Sequence, residues 1–522
     1  MNYLHRKKLA FMSIVNQVKG FVRTISGVPP ITLESCVDDK SVINYQIYGN
    51  SVQDGKPTPD NPVEVVSVGD KTVNLFDVST SKGLQSQYGG ITSNVEDGKI
   101  IVNVTTNRSA NLKLGTFKAG TYTASFDKLI TNNGGNTSFY SLMTGESISS
   151  LTTFITGLSG KKSVTFTLTE EQTIWYMHSG LKSENAPYTL SGVQVVEGNV
   201  ATEYEPYGYK IPITASGKNL FDISKTNGFT SQYEGLKNTV ENNVLSIKCS
   251  VASRGGTLTL GTFDAGTYYI GVKVLSSNGS TISVYKAEGW TRLGNVNTVI
   301  TITEKTTLQL YTAFSSSTET KLTDIQVVKS NKTMDYEPYH EPITTNIYLN
   351  EPLRAIGDYK DYIDFESGKN VRSIMHERIN KVDSKSSVGL MFLSVINQKP
   401  LLSGASNDPI GYAISDKFKQ HKDKYAALIS AGKTNTLIQS YITSGGAYRI
   451  VYTFGDTSIT TVDLAQEKIG DGFDVYYVLA EELVEDIDLS NLPTFKGTTI
   501  YTIDTTVQPT NMEVTYYSTV KE

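Results

Sequence analysis

At 522 residues the chain is too long for one hydrophobic core, so several domains are expected. Apolar residues make up 38% and charged residues 19%, with Gly, Ser, Thr, Asn and Tyr abundant, a balance that argues against a disordered tail or a helical enzyme and points to sheet. A net charge of −5 gives no general attraction to phosphate backbones, so nucleic acid is not expected as a partner.

Leu4, Phe11, Val18 and Ile25 recur every seven residues, with Ile14, Val15, Phe21 and Val22 on the same side, so residues 3–25 read as an amphipathic helix. Gly27, Pro29 and Pro30 stop it. Arg6, Lys7, Lys8, Lys19 and Arg23 make it locally basic. Its start mimics a signal peptide, but Asn16, Gln17 and Lys19 interrupt the apolar run and no small-x-small cleavage site follows, so a retained helix is expected. About three heptads are marginal alone and need a surface, either the chain's own first β-domain or a neighbouring subunit. The spacing permits a trimer without demanding one. No apolar run reaches the roughly 20 residues that span a bilayer, so no membrane insertion is expected. Cys36 and Cys249 fall in different predicted modules, which fits a reducing cytoplasm rather than a disulfide framework.

Residues 1–30 are thus an anchoring helix and 31–70 a β-rich connector, with an extended run at Ile43 to Tyr48 and turns at Asp54-Gly55, Pro57, Pro59 and Pro62. Beyond it, the stretch from Lys71 to Tyr207 recurs in diverged form from Lys218 to Tyr339. Both copies open on Asn-Leu-Phe-Asp (from Asn74 and Asn219) and continue through Ser-Gln-Tyr (Ser86 to Tyr88, Ser231 to Tyr233). Both then share Leu-Gly-Thr-Phe-x-Ala-Gly-Thr-Tyr (from Leu114 and Leu260) and close on Tyr-Glu-Pro-Tyr (from Tyr204 and Tyr336).

Within each copy, runs alternating with period two are broken by Gly, Asn and Asp about every 8 to 12 residues, the spacing of a β-sandwich. Residues 71–210 and 211–342 are therefore expected to form tandem jelly-roll-like β-sandwiches. Gly120 and Gly266 mark a turn and are expected in a backbone conformation that a β-carbon would hinder. Aligning the copies sets Ile174 and Tyr176 against Leu308 and Leu310 as buried positions. Trp175 and Met177 then match Gln309 and Tyr311, so Trp175 and Tyr311 are expected to point away from the core. Retention in both copies gives Tyr88 with Tyr233, and Phe117 with Phe263, a structural role.

Residues 343–522 read as a C-terminal β-sandwich of another sequence type. A hairpin is expected from Tyr362 to Ile374 around Ser367-Gly368, and strands at Tyr448 to Phe454, Asp474 to Leu479, Thr498 to Ile503 and Met512 to Tyr517. Lys424 to Ala431 could be a short helix. The fold class is all-β, with the N-terminal helix the main exception.

Four phrases resemble recurrent ones of tail and baseplate proteins from phages and prophages of Gram-positive bacteria. They are Ser216-Gly217-Lys218-Asn219-Leu220-Phe221-Asp222, the connector Gly49 to Pro59, Tyr336-Glu337-Pro338-Tyr339, and Leu353-Arg354-Ala355-Ile356-Gly357-Asp358. The resemblance covers most of the chain but names no active site. It implies an oligomeric virion surface protein of carbohydrate-binding-module-like domains, assembled in the host cytoplasm and released by lysis. Its partners would be other tail or baseplate subunits, met through the N-terminal helix, and host cell-wall polysaccharide.

The chemistry legible in the residues agrees with binding rather than catalysis. His5, His178, His340, His376 and His421 are scattered without zinc-ligand spacing, and the chain has neither a Gly-x-Ser-x-Gly elbow nor a phosphate-binding loop. Asp358, Asp361, Asp364 and Glu366 form the densest acidic cluster, in which Asp364 and Glu366, alternating with Ile363 and Phe365, read as a solvated edge rather than the acid/base pair of a glycosidase. Sugar faces stack on aromatic rings while amides and hydroxyls satisfy their hydroxyl groups. Trp175, Tyr285, Trp290 and Tyr311 are the candidate carbohydrate-binding residues. No cofactor or metal is called for, although sequence cannot read a structural calcium. The expected function is attachment to host-surface glycan. A purely structural virion subunit (baseplate, head-fibre or decoration protein) is the alternative, with a polysaccharide depolymerase and a bacterial adhesin behind it.

Overall fold

The computed structural model describes residues 46–503, except 54, 132–135, 138–140, 252–253, 278–279, 366, 388, 402–411, 421–434, 443–445 and 496–497, together with 515–519. The helix expected around Leu4, Phe11, Val18 and Ile25, and that expected over 424–431, lie outside the described residues. With 54% strand and 4% helix, the chain is all-β. Among the described residues one α-helix occurs, Val462–Ile469, which alternation gave no reason to expect. Thr461 caps it by accepting from the Leu464 N–H at 3.2 Å, and Gly470 ends it at φ 61°.

Contacts divide the chain into two compact units, one of 68–211 with 347–353, the other of 212–346 with the described residues before 68 and from 354 onward. The second sequence copy lies in the latter. It builds a five-stranded antiparallel sheet in the order Leu236–Glu241, Val244–Cys249, Thr320–Lys329, Gly266–Ser276, Thr298–Ile302. A four-stranded sheet runs Arg254–Phe263, Thr306–Phe314, Ser283–Lys286, Thr291–Asn295. Alternate residues of both sheets, among them Leu245, Ile270, Val284, Leu310 and Phe314, share one apolar core. Each such side chain contributes roughly 1.5–3 kcal/mol by leaving water.

The first copy repeats the four-stranded order with Arg108–Phe117, Gln172–Leu181, Ser141–Thr144 and Thr152–Ile155. Its other layer is divided into a five-stranded and a three-stranded sheet. The break falls where Tyr188–Ser191 and Gln194–Glu197 are separated by Gly192, at φ 62°. Ile174 and Tyr176 enter its core, as Leu308 and Leu310 enter the other.

The phrases common to both copies hold the fold together. Asn74 Oδ1 accepts from the N–H groups of Phe76 and Val195 at 2.9 and 3.1 Å, while its Nδ2 donates to the carbonyls of Val193 and Glu205 at 3.3 and 3.0 Å. Asn219 makes the same four bonds, with Phe221, Val327, Ile325 and Glu337. One buried amide thus ties the opening phrase of each copy to its closing Tyr-Glu-Pro-Tyr. Gly115 and Gly261 take φ of 148° and 137°, and a β-carbon at either would press on the ring of Phe117 or Phe263 at 2.9 or 3.1 Å. The expectation for Gly120 and Gly266 needs correction, since neither has a positive φ. Their constraint is crowding from the rings of Tyr122 and Tyr268, whose hydroxyls reach back to the carbonyls of Lys118 and Asp264.

Past the copies, Tyr362–Asp364 and Lys369–Ile379 form the expected hairpin, with Gly368 at φ 62°. They join Gln46–Tyr48, Phe473–Asp486 and Ala413–Ser415 in one sheet, so the connector supplies an edge strand. A second sheet contains Met391–Val395 and Tyr448–Thr453, and aromatic residues from both, including Phe392, Tyr452, Phe473 and Tyr477, share a core. The sequence placed Thr498–Ile503 with this C-terminal part. Instead 500–503 pair with 213–216, leading into the second copy, and Thr515–Thr519 pairs alongside.

Candidate functional site

Three of the four candidate aromatic residues meet. Tyr285 and Tyr311 project from adjacent strands on the outer face of the four-stranded sheet in the second copy. The hairpin turn between Ser283–Lys286 and Thr291–Asn295 brings Trp290 against them. Ring centroids lie 5.0 Å apart for Tyr285 and Trp290, 5.4 Å for Trp290 and Tyr311, and 5.7 Å for the two tyrosines. Tyr311 fits because Gly255 lies beneath it: a β-carbon there would come within 2.6 Å of the tyrosine oxygen.

Trp290 is 50% exposed and sits in the left-handed region at φ 49°, next to Gly289 at φ 70°. That conformation costs an ordinary residue roughly 1–2 kcal/mol. Polar groups flank the rings. Arg292 Nε donates to Ser283 Oγ at 3.2 Å, and the guanidinium also binds Asn295 Oδ1. Gln309 pairs directly with Tyr285 across the strands. Hydrogen bonds from its own backbone N–H and from Thr307 hold the Glu288 carboxyl below the usual range, so this rim carries both signs of charge.

Trp175 does not belong to an open surface. Alternation places it opposite the core, as expected, but it is only 5% exposed. The turn after Ser141–Thr144 supplies its cover: the indole N–H donates to the Gly145 carbonyl at 2.8 Å. A tryptophan therefore joins hairpin turn to sheet face in both copies, reaching from the sheet at Trp175 and from the turn at Trp290.

Tyr88 and Tyr233 also depart from expectation. A structural role predicts burial, yet they are 74% and 58% exposed. Tyr88 lies on a cleft of about 560 Å³ with Arg108, and Arg254 stands 5.3 Å from the Tyr233 ring centroid. Arg108 and Arg254 open equivalent strands. Sequence reading missed both arginines. The signal was the matching register from Arg108 to Phe117 and Arg254 to Phe263.

The acidic cluster separates into individual roles. Asp361 is wholly buried and accepts backbone N–H bonds from Arg354, Ser373 and Ile374 at 2.9, 2.7 and 2.9 Å. Burial pushes its carboxyl up to about 6. Asp358 is exposed and Glu366 lies outside the described residues. A charged network went unforeseen because its members are distant in sequence. Asp474 binds His376 and Arg378, each at 3.2 Å, and Arg378 also meets Asp471 and Asp416 at 3.4 and 3.9 Å. These carboxylates face cations, as in an ion-pair network. Among the described residues no group of three or more His, Cys, Asp and Glu could hold a metal ion, and no helix is long and apolar enough to cross a membrane.

No model of a known protein family matches the chain, and a search of curated proteins finds no match.

Proposed function

We propose that the chain is a non-catalytic glycan-binding protein whose two sequence copies are jelly-roll-like β-sandwiches. The observation that carries this reading is the Tyr285, Trp290 and Tyr311 cluster. A half-exposed tryptophan held in a costly backbone conformation over two tyrosines offers a ring face to sugar C–H groups. Arg292, Asn295 and Gln309 lie where hydroxyls would need partners. The phrases that resemble those of phage tail and baseplate proteins favour a host wall polysaccharide as the glycan and a virion as the protein's setting. Weak sites on two copies, multiplied by several chains on one particle, would supply avidity.

The test is calorimetric titration of the intact chain with wall polysaccharide from a panel of Gram-positive strains. Saturable binding is expected, weakened at least tenfold by Trp290→Ala. Absence of binding throughout the panel would favour the structural-subunit reading, and binding indifferent to Trp290→Ala would remove the cluster from the glycan site.

A further inference from the structure

The phrases retained by both copies divide according to what they do. Asn74, Gly115, Phe117 and Tyr122, with their counterparts, serve the clasp or the core. Tyr88 and Tyr233 serve neither, and their rings stand at the surface. What is fixed is their position. Gln85 and Asn111 exchange two backbone hydrogen bonds of 2.8 Å, and Thr230 and Thr257 do the same, so each Ser-Gln-Tyr turn is fastened to the neighbouring strand. Two copies that differ at most surface positions have kept an exposed tyrosine at the same place, beside an arginine.

In the first copy this pair borders the 560 Å³ cleft, whose other lining residues include Asn111, Met143 and Met177. Strand register assigns their counterparts: Met143 and Met177 stand where the second copy has Tyr285 and Tyr311, and Asn111 where it has Thr257. The cleft is therefore the first copy's version of the aromatic face. Two features point to a ligand of particular chemistry. Asn111 is only 9% exposed, and its Oδ1 has no hydrogen-bond partner within the protein, an acceptor that a hydroxyl would satisfy. Arg108 is the charged residue among those lining the cleft, and among the described residues no carboxylate lines it. The second copy's hairpin turn, by contrast, carries Glu288, whose carboxylate feels the Lys286 cation. Methionines in place of tyrosines give an apolar floor that adapts to its occupant.

We infer that the Tyr88 and Arg108 cleft is a second saccharide site, selective for a sugar unit bearing a negative charge, either carboxylate or phosphate. This rests on the glycan-binding reading above. Arg108 would pair with the anion, Tyr88 would stack on the ring and Asn111 would accept from a hydroxyl.

The experiment uses the intact chain carrying Trp290→Ala, which silences the aromatic cluster. It is titrated with wall polysaccharide in native, carboxyl-reduced and hydrofluoric-acid-dephosphorylated form. Saturable binding of the native polymer is expected, and one of the two treatments should abolish it, identifying the anion. Tyr88→Ala and Arg108→Gln should each weaken binding at least tenfold, and both side chains are exposed, so thermal midpoints close to that of Trp290→Ala are expected. Equal affinity for all three polymers, or no effect of either substitution, overturns the inference. If wild type binds and Trp290→Ala alone removes all binding, the second site falls while the first stands. If wild type binds nothing, both fall.

Discussion

Asn219 Nδ2 donates to the backbone carbonyl of Glu337 at 3.2 Å, across more than a hundred residues of chain, and Asn74 does the same to Glu205 at 3.0 Å. Each asparagine spends its whole amide on four backbone partners. No other side chain of that size presents two acceptor directions and two donor hydrogens at once.

Asn219→Ala should accordingly cost about 3 kcal/mol, because it leaves buried N–H and C=O groups without partners. Urea unfolding of the intact chain would measure it as a lower midpoint for the second copy. Asn219→Asp should fare little better, since a carboxylate cannot donate to Ile325 and Glu337. A midpoint unchanged by either substitution would mean that water replaces the amide.

Trp290→Gly separates stability from binding. Glycine removes roughly 1–2 kcal/mol of left-handed strain and loses ring contacts worth roughly 0.5–1.5 kcal/mol each. The thermal midpoint should stay close to wild type while wall-polysaccharide affinity falls at least tenfold. A large drop in midpoint would show that the indole belongs to the fold.

His178 makes the first copy sensitive to acid. Burial pushes its imidazole down to about 4. Below the ordinary histidine value of about 6.5 the unfolded chain takes up a proton that the folded chain refuses. Stability of this copy should therefore fall as pH drops from 6.5 toward 4. The chain has two tryptophans, so Trp175 fluorescence in a Trp290→Phe background reports the first copy alone. A substitution His178→Gln should flatten the pH dependence.

Asp361 works in the opposite sense. Its folded carboxyl is raised to about 6 by burial, so the folded state holds a proton that the unfolded state has released. Its contribution is full below about pH 4 and is lost as pH rises through 6, on the order of 3 kcal/mol in all. The stability difference between wild type and Asp361→Asn, measured by chemical denaturation from pH 4 to 7, should shrink as pH rises. A constant difference would show that Asp361 stays ionised throughout, held by the buried Arg354.

Alternation carried the local reading a long way. It put Ile174, Tyr176, Leu308 and Leu310 inside and Trp175 and Tyr311 on the opposite face, because side chains two apart must share a side of a strand. It could not show that Gly145 and its turn fold back over Trp175, since cover depends on neighbours that strand periodicity does not encode. Motif matching found Tyr88 and Tyr233 but could not place them: a repeated residue shows that something is kept, and the structure puts both rings at the surface rather than in the core. Arg108, Arg254, Gly255 and the unpartnered Oδ1 of Asn111 become visible once strand register brings distant segments side by side.

The asparagine clasp also bears on how such a chain can change. It gathers the first and last segments of a copy onto one buried amide, so the polypeptide arrives and departs at the same spot. A segment with adjacent ends can be duplicated, removed or exchanged by recombination while the flanking chain keeps its path. The loops and faces far from that knot are free to drift, and one copy could acquire tyrosines where its sister holds methionines.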